Sequence, residues 1–260
     1  MKSAVVVGLW RVPLTAAAGL RVWLTAADAA RAARYHQAVD RDRAVASSGL
    51  LRLAAAELAG VDPAELTVVR RCRTCGGGGD HGRPVAVTPD GETMPGVHLS
   101  SAHAGGLVLV AASREAPVGI DLEPLDGAGP DSWTIERIAL TPGERASLEG
   151  LAGADLDRAR LRLWVRKEAV LKATGHGLAV APHLVDVAGP VGRWRADPAA
   201  PVGHQGADLA EVLAEGASLV DVDLEREPKL GYVAALAVLG VSAEVGPAEV
   251  TIEWHCDPLG

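Results

Sequence analysis

The sequence predicts an α+β fold, read as two similar lobes related by a pseudo-twofold axis. Three observations lead there. A chain of 260 residues with 48% hydrophobic content can bury its core as one large domain or two small ones. Two long helical patterns, near 39–58 and 155–174, fall one in each half. Strand-length apolar runs accompany both, and that order argues α+β. No repeat is visible in the residues themselves. The halves divide as 1–115 and 116–260.

The first strand is expected at Ala4–Val12, followed by helices at Ala26–His36 and Val39–Leu58. In the second helix Ala46, Leu50, Leu53 and Leu58 share a face, and Gly60 with Pro63 ends it. Leu66–Arg71 reads as a short strand entering a loop, Cys72–Pro84, whose four successive glycines give it wide conformational freedom. His103 falls just before the apolar strand Leu107–Ala112, at a position where a loop could meet an anion. Arg114–Pro117 supplies a turn, so Leu107–Ala112 and Val118–Glu123 are expected to form a hairpin. Gly127–Pro130 is a break. Thr141-Pro-Gly-Glu144 has the form of a capping box, with Pro142 at the first helical position. The strongest helix spans Asp155–Thr174 and is closed by Gly175 and Gly177. Weaker strands follow at Leu184–Val187, Leu219–Leu224, Tyr232–Leu239 and Val250–Trp254, with a loop at Ala196–Gly206.

Bulk properties exclude several classes. A net charge of −8 argues against a general nucleic-acid binder. Three cysteines are too few, and odd in number, for a disulfide scaffold. Ala4–Val7 is broken by Arg11 and Pro13 and makes a poor signal peptide. Tyr232–Leu239 falls well short of the ~20 apolar residues that span a bilayer. The expectation is a cytoplasmic protein without membrane attachment. With no Phe, the core must be built from Leu, Val, Ala and six Trp.

The chemistry-bearing residues lie on two elements. In a strand, Asp121 and Glu123 project from one face while Leu122 points to the other. Two carboxylates so placed repel unless a cation lies between them, and oxygen ligands suit Mg²⁺; a solvated strand end carrying two acids is the plainer alternative. On the long helix, Trp164, Glu168 and Lys172 recur every four residues. An ordinary surface pair is one reading of Glu168 and Lys172. The neighbouring Trp164 and Leu171 favour a half-buried face, where both charges need partners that a metal–diphosphate would supply. From the residues alone, Arg31, Arg34, Arg41 and Arg43 on the early helices read first as a solvated basic face and His103 as a structural histidine, with an anion grip and an anion contact as the alternatives. Cys72-x-x-Cys75, with His81 and Cys256, lacks a complete zinc-ligand spacing. No phosphate-binding glycine loop or nucleophile elbow of a familiar type is present.

Together, Val118-Gly-Ile-Asp-Leu-Glu123 and Trp164-Val-Arg-Lys-Glu-Ala-Val-Leu-Lys-Ala-Thr-Gly175 resemble the paired signature of 4′-phosphopantetheinyl transferases. The likeness is to the two-lobed, surfactin-synthetase-activating type of bacterial, and here actinobacterial, secondary metabolism. The His-Gly-Arg-Pro84 stretch and the segment from His98 to His103 resemble that family's upstream elements. The resemblance implies coenzyme A in a cleft between two α+β lobes, with Mg²⁺ (or Mn²⁺) held by Asp121, Glu123 and Glu168. It implies that Lys172 contacts the diphosphate, with Lys167 assisting. Arg31, Arg43, Arg83, Pro84 and His103 would hold coenzyme A. Catalysis would rest on Glu168, Lys172 and Asp121. Asp28 and Ala102 depart from the family, which more often carries Lys and Ser there.

The activity implied is that of a holo-[acyl-carrier-protein] synthase. The phosphopantetheine arm passes to a serine of an acyl, polyketide or peptidyl carrier protein and adenosine 3′,5′-bisphosphate leaves. The partners are that transient carrier and coenzyme A, with the chain acting as a monomer. Two alternatives use the same residues: a silent regulator that binds coenzyme A or a carrier, and a metal-dependent phosphodiesterase acting on coenzyme A.

Overall fold

The computed structural model describes residues 4–73, 81–125, 132–189, 191–194, 216–224, 231–240 and 250–255. The fold is mixed α+β and divides into two compact units, Met1–Ala116 with Val250–Gly260, and Pro117–Glu249.

In the first unit, β1 (Val5–Pro13) is followed by α1 (Ala17–Leu20), α2 (Ala26–Ala33) and α3 (Ala38–Ala59). A capping box at Thr25 and Asp28 starts α2, and Gly60, in the left-handed conformation at φ 71°, ends α3. The ribbon β2 (Thr67–Arg71) and β3 (Arg83–Val87) precedes β4 (His98–Ala104) and β5 (Leu107–Ser113). The α3 residues Ala46, Leu50, Ala54 and Ala55 are fully buried in one core with Trp10, Leu99, Val108 and Val110 of the sheet. Small residues on α3 let the helix lie close to the strands, which compensates for the absence of Phe.

Two expectations change here. His103 lies on a strand, β4, and not on a loop, and β4 forms the hairpin with β5. The expected hairpin across Arg114–Pro117 does not form, because β5 pairs with β4 on one side and β1 on the other. All seven residues of β5 are buried, so both its edges need ladders that close neighbours supply.

The second unit begins with β6 (Val118–Pro124), then α4 (Ser132–Ile138), α5 (Pro142–Ser147) and α6 (Gly153–Thr174). The strands β7 (Val185–Asp186), β8 (Val191–Trp194), β9 (Ala217–Asp221) and β10 (Tyr232–Leu239) complete a five-stranded sheet ordered β6-β10-β9-β8-β7. The capping box of α5 is present as Thr141 with Glu144, and α6 ends at a left-handed Gly175. Val165, Ala169, Val170 and Ala173 of α6 are fully buried in a core with Ala235 and Ala237 of β10.

The last strand, β11 (Val250–His255), departs from the linear halves. It runs parallel beside β1, from Val5 opposite Val250 to Trp10 opposite His255, in a sheet ordered β11-β1-β5-β4. Trp10 stacks on His255 at 4.2 Å, and Glu57 of α3 bonds both rings. No helix among the described residues is long and apolar enough to cross a membrane.

Candidate active site

The acidic site of the second unit is built by β6 and α6. Asp121 and Glu123 lie two residues apart on β6, opposite Ala235 and Val233 of β10, so their side chains leave the same face. Glu168 and Lys172 stand one turn apart on α6. At Gly119 the helix backbone lies close against the strand, in space a side chain would fill. That approach brings the four charged side chains of the two elements into one field.

Lys172 Nζ lies 2.7 Å from Asp121 Oδ1 and donates to the Ile120 carbonyl at 3.3 Å. Asp121 Oδ2 is buried and has no hydrogen-bond partner among the described residues. Burial pushes the Asp121 carboxyl up, against the pull of Lys172. Glu123 is raised from 4.5 to about 7, first by burial and then by Asp121; a hydrogen bond from Trp164 opposes the rise. Glu168 is likewise raised to about 7 by burial and by Asp121, with Lys172 opposing. Three carboxylates thus share one ammonium, and two of them are held near neutrality.

Among the described residues no group of three or more His, Cys, Asp and Glu is gathered tightly enough to enclose a metal ion. Asp121, Glu123 and Glu168 do not form a closed cage, since Lys172 occupies one oxygen of Asp121. Their chemistry still fits a hard divalent cation. All the donors are oxygen, one buried oxygen is unpartnered, and the surplus negative charge is paid in raised protonation.

Lys167, expected at the coenzyme A diphosphate, is turned elsewhere. Its side chain is completely buried, and Nζ pairs with Glu144 Oε2 at 2.7 Å, both groups being 0% exposed. It also donates to the carbonyls of Pro182 and Val185. A buried ammonium cannot remain unpaired, and Glu144 with these carbonyls uses it up. Glu144 itself, besides capping α5, accepts from the Val187 amide at 2.8 Å.

The first unit holds a basic group. Arg83 on β3 lies 3.3 Å from His98 Nδ1 on β4. Burial, reinforced by Arg73, lowers the Arg83 pKa, and burial with Arg83 lowers that of His98. Arg70 on β2 is lowered by burial and then by Arg31, although Tyr35 and Asp28 oppose this. Arg31 pairs with Asp28 at 2.9 Å and donates to Ser48 at 2.6 Å. Arg43 pairs with Asp40 and donates to the Gly105 carbonyl at the β4–β5 turn, two residues beyond His103. His103 is exposed on β4, and Pro84 stands opposite Arg70 across the β2–β3 ribbon.

Sequence reasoning named Arg31, Arg43, Arg83, Pro84 and His103 but passed over Arg70. The signal was the run Arg70-Arg71-Cys72-Arg73, two cations closing a strand and a third just after it, read then as the entry to a loop. Cys75, Cys256 and the glycine run lie outside the described residues, so the zinc reading has no structural counterpart here.

Comparison with known proteins adds a separate line. The family model described as the 4′-phosphopantetheinyl transferase superfamily matches residues 117–195, which include the acidic site. The chain is 30% identical over 177 residues to the 4′-phosphopantetheinyl transferase HetI of Nostoc sp., a span of 66% of this chain and 70% of that one. It is 26% identical over 147 residues to a 4′-phosphopantetheinyl transferase of Bacillus subtilis, 56% of this chain and 58% of that one. A phosphopantetheinyl transferase of Thraustochytrium sp. is 31% identical over 158 residues, 57% of this chain and 51% of its own length.

Proposed function

The chain belongs to the 4′-phosphopantetheinyl transferase superfamily, and from that premise we propose that it transfers the phosphopantetheine arm of coenzyme A to a serine of a carrier protein. The observation that carries this reading is the sharing of one ammonium, Lys172, by three half-buried or buried carboxylates on adjacent elements.

Asp121, Glu123 and Glu168 are the groups that would hold Mg²⁺, or Mn²⁺ in its place. Mg²⁺ is rarely enclosed by protein alone; it keeps waters and shares substrate phosphates, so an open carboxylate set suits it. When bound, the ion neutralises charge on the diphosphate of coenzyme A.

The chain's own groups then have distinct tasks. Glu168 is the carboxylate assigned to accept the serine proton, directly or through a water. The serine Oγ bonds to the β-phosphorus, the bond from that phosphorus to the bridging oxygen breaks, and adenosine 3′,5′-bisphosphate leaves. Lys172, already poised on Asp121, stabilises charge on the departing phosphate. In the first unit, Arg31, Arg43, Arg70, Arg83 and His103, with Pro84 beside them, are assigned to the nucleotide end of coenzyme A. The guanidinium groups of Arg70 and Arg83, both crowded by burial and by a second arginine, support an anionic ligand there. We assign the chain to the surfactin-synthetase-activating type, acting as a cytoplasmic monomer on an acyl, polyketide or peptidyl carrier.

The deciding experiment is the intact mass of apo carrier proteins after incubation with the protein, coenzyme A and Mg²⁺, against an EDTA control. A metal-dependent gain of one phosphopantetheine group is expected. No gain on acyl, polyketide and peptidyl carriers despite coenzyme A binding would overturn it in favour of a regulator. Hydrolysis of coenzyme A without a carrier would point instead to a phosphodiesterase.

A further inference from the structure

We propose that Glu144 and Lys167 are positioning residues for Glu168, fixing the rotation of α6 so that Glu168 faces the β6 carboxylates. The inference rests on the transfer reading above and extends it to residues that touch no substrate.

The case begins with what the two consecutive cations before Glu168 grip. Lys167 pairs with Glu144 and donates to the Pro182 and Val185 carbonyls. Arg166 donates through Nε and Nη2 to Asp221 at 2.7 and 2.8 Å, and through Nη1 to the Val187 carbonyl at 3.1 Å. Glu144 accepts from the Val187 amide. Val187 is therefore held at both its N–H and its C=O, by two side chains that are themselves tied to α6 or bonded to it. Four segments meet at this clamp: the start of α5, the middle of α6, residues 182–189, and the end of β9 at Asp221.

Apolar packing alone cannot set such an angle. The α6 face against the sheet is lined by Ala169, Val170 and Ala173, whose burial is non-directional and tolerates small rotations. A fully buried ion pair does not: turning the helix would strand a carboxylate and an ammonium away from water and from each other. Such pairs add little net stability, and in some proteins a buried polar group selects one packing over its alternatives. Lys167 and Glu168 are neighbours on the helix, so whatever fixes the direction of one fixes the other about 100° around the axis.

The test is a double-mutant cycle of Glu144→Gln and Lys167→Met, followed by thermal midpoint and by kcat and KM on a carrier protein. Each single variant leaves a buried partner unmatched and should lose both stability and turnover. The double variant should regain thermal midpoint above both singles, yet keep a kcat about tenfold or more below wild type with KM for coenzyme A within about twofold. Recovery of kcat in parallel with midpoint would overturn the proposal, leaving the pair a purely structural one. A crystal structure of the double variant decides independently of activity: Glu168 rotated away from Asp121 and Lys172 upholds it, and an unmoved Glu168 overturns it. Failure of the transfer reading looks different, because then the wild-type protein itself would modify no carrier while the crystallographic outcome stands.

Discussion

Gly119 of β6 and Ala169 of α6 stand so close that a Cβ on the glycine would lie 1.9 Å from the alanine's carbonyl oxygen and 2.5 Å from the Ala173 amide nitrogen. The atoms in the way are helix backbone, which cannot step aside as a side chain could. Gly119→Ala should therefore push α6 away from β6, lowering the unfolding free energy by about 2 kcal/mol or more and separating Lys172 from Asp121. Denaturant titration alongside the carrier-mass assay checks both effects. An alanine variant of wild-type stability and turnover would show that the contact is not a constraint.

The acidic site predicts loss of turnover without loss of fold. Asp121→Ala should reduce transfer about 10³-fold, and Glu168→Gln about 10²-fold or more. Burial raises Glu168, so Glu168→Gln removes no group that favours folding at neutral pH, whereas Asp121→Ala takes the carboxylate from Lys172 and should cost some stability without unfolding the chain. Circular dichroism melts at pH 8 should give Glu168→Gln a midpoint at or above wild type and Asp121→Ala a lower but cooperative one. Near-normal turnover in either variant would sink the assignment of that residue.

The raised carboxylates set a direction for stability against pH. Between 4.5 and about 7 the folded chain keeps protons on Glu123 and Glu168 that the unfolded chain has already released. The unfolded state then binds fewer protons, so stability falls as pH rises through that window and levels off above it. A divalent cation binds the ionised forms and should raise the thermal midpoint more at pH 8 than at pH 5.5. Melting curves of metal-stripped protein with and without Mg²⁺ supply the check, and equal increments at both pH values would contradict it.

The basic group of the first unit predicts a binding phenotype. Arg70→Ala should raise KM for coenzyme A about tenfold and leave kcat within about twofold. Because burial and Arg31 already work against the Arg70 charge, the substitution should not lower the thermal midpoint. A fall in kcat at constant KM would place Arg70 outside ligand binding.

The parts of the fold that were legible in the sequence are those whose pattern is local. Tyr232–Leu239 matches β10 residue for residue, and the Thr141–Glu144 capping box was readable from four letters. The long helix was placed within two residues at its start and correctly at its end, because Gly175 marks its close. Strand partners were not legible. An apolar run such as Leu107–Ser113 fits any neighbour, and only the burial of both its faces dictates two ladders. At the site, Asp121, Glu123, Glu168 and Lys172 could be named because strand and helix periodicity put each pair on one face. Lys167 was misjudged because Glu144, its partner, lies 23 residues away in sequence, and nothing local announces a buried pair. Arg70 was missed for the opposite reason: a cation at a strand end is usually solvated, and the crowding by Arg31 exists only after folding.

The position of β11 bears on how the chain is made. During synthesis β1 emerges first and β11 last, yet they are adjacent in one parallel ladder. Until the ribosome has delivered residues 250–255, one side of β1 stays an open edge with unpaired amides and carbonyls, the kind of template that invites aggregation.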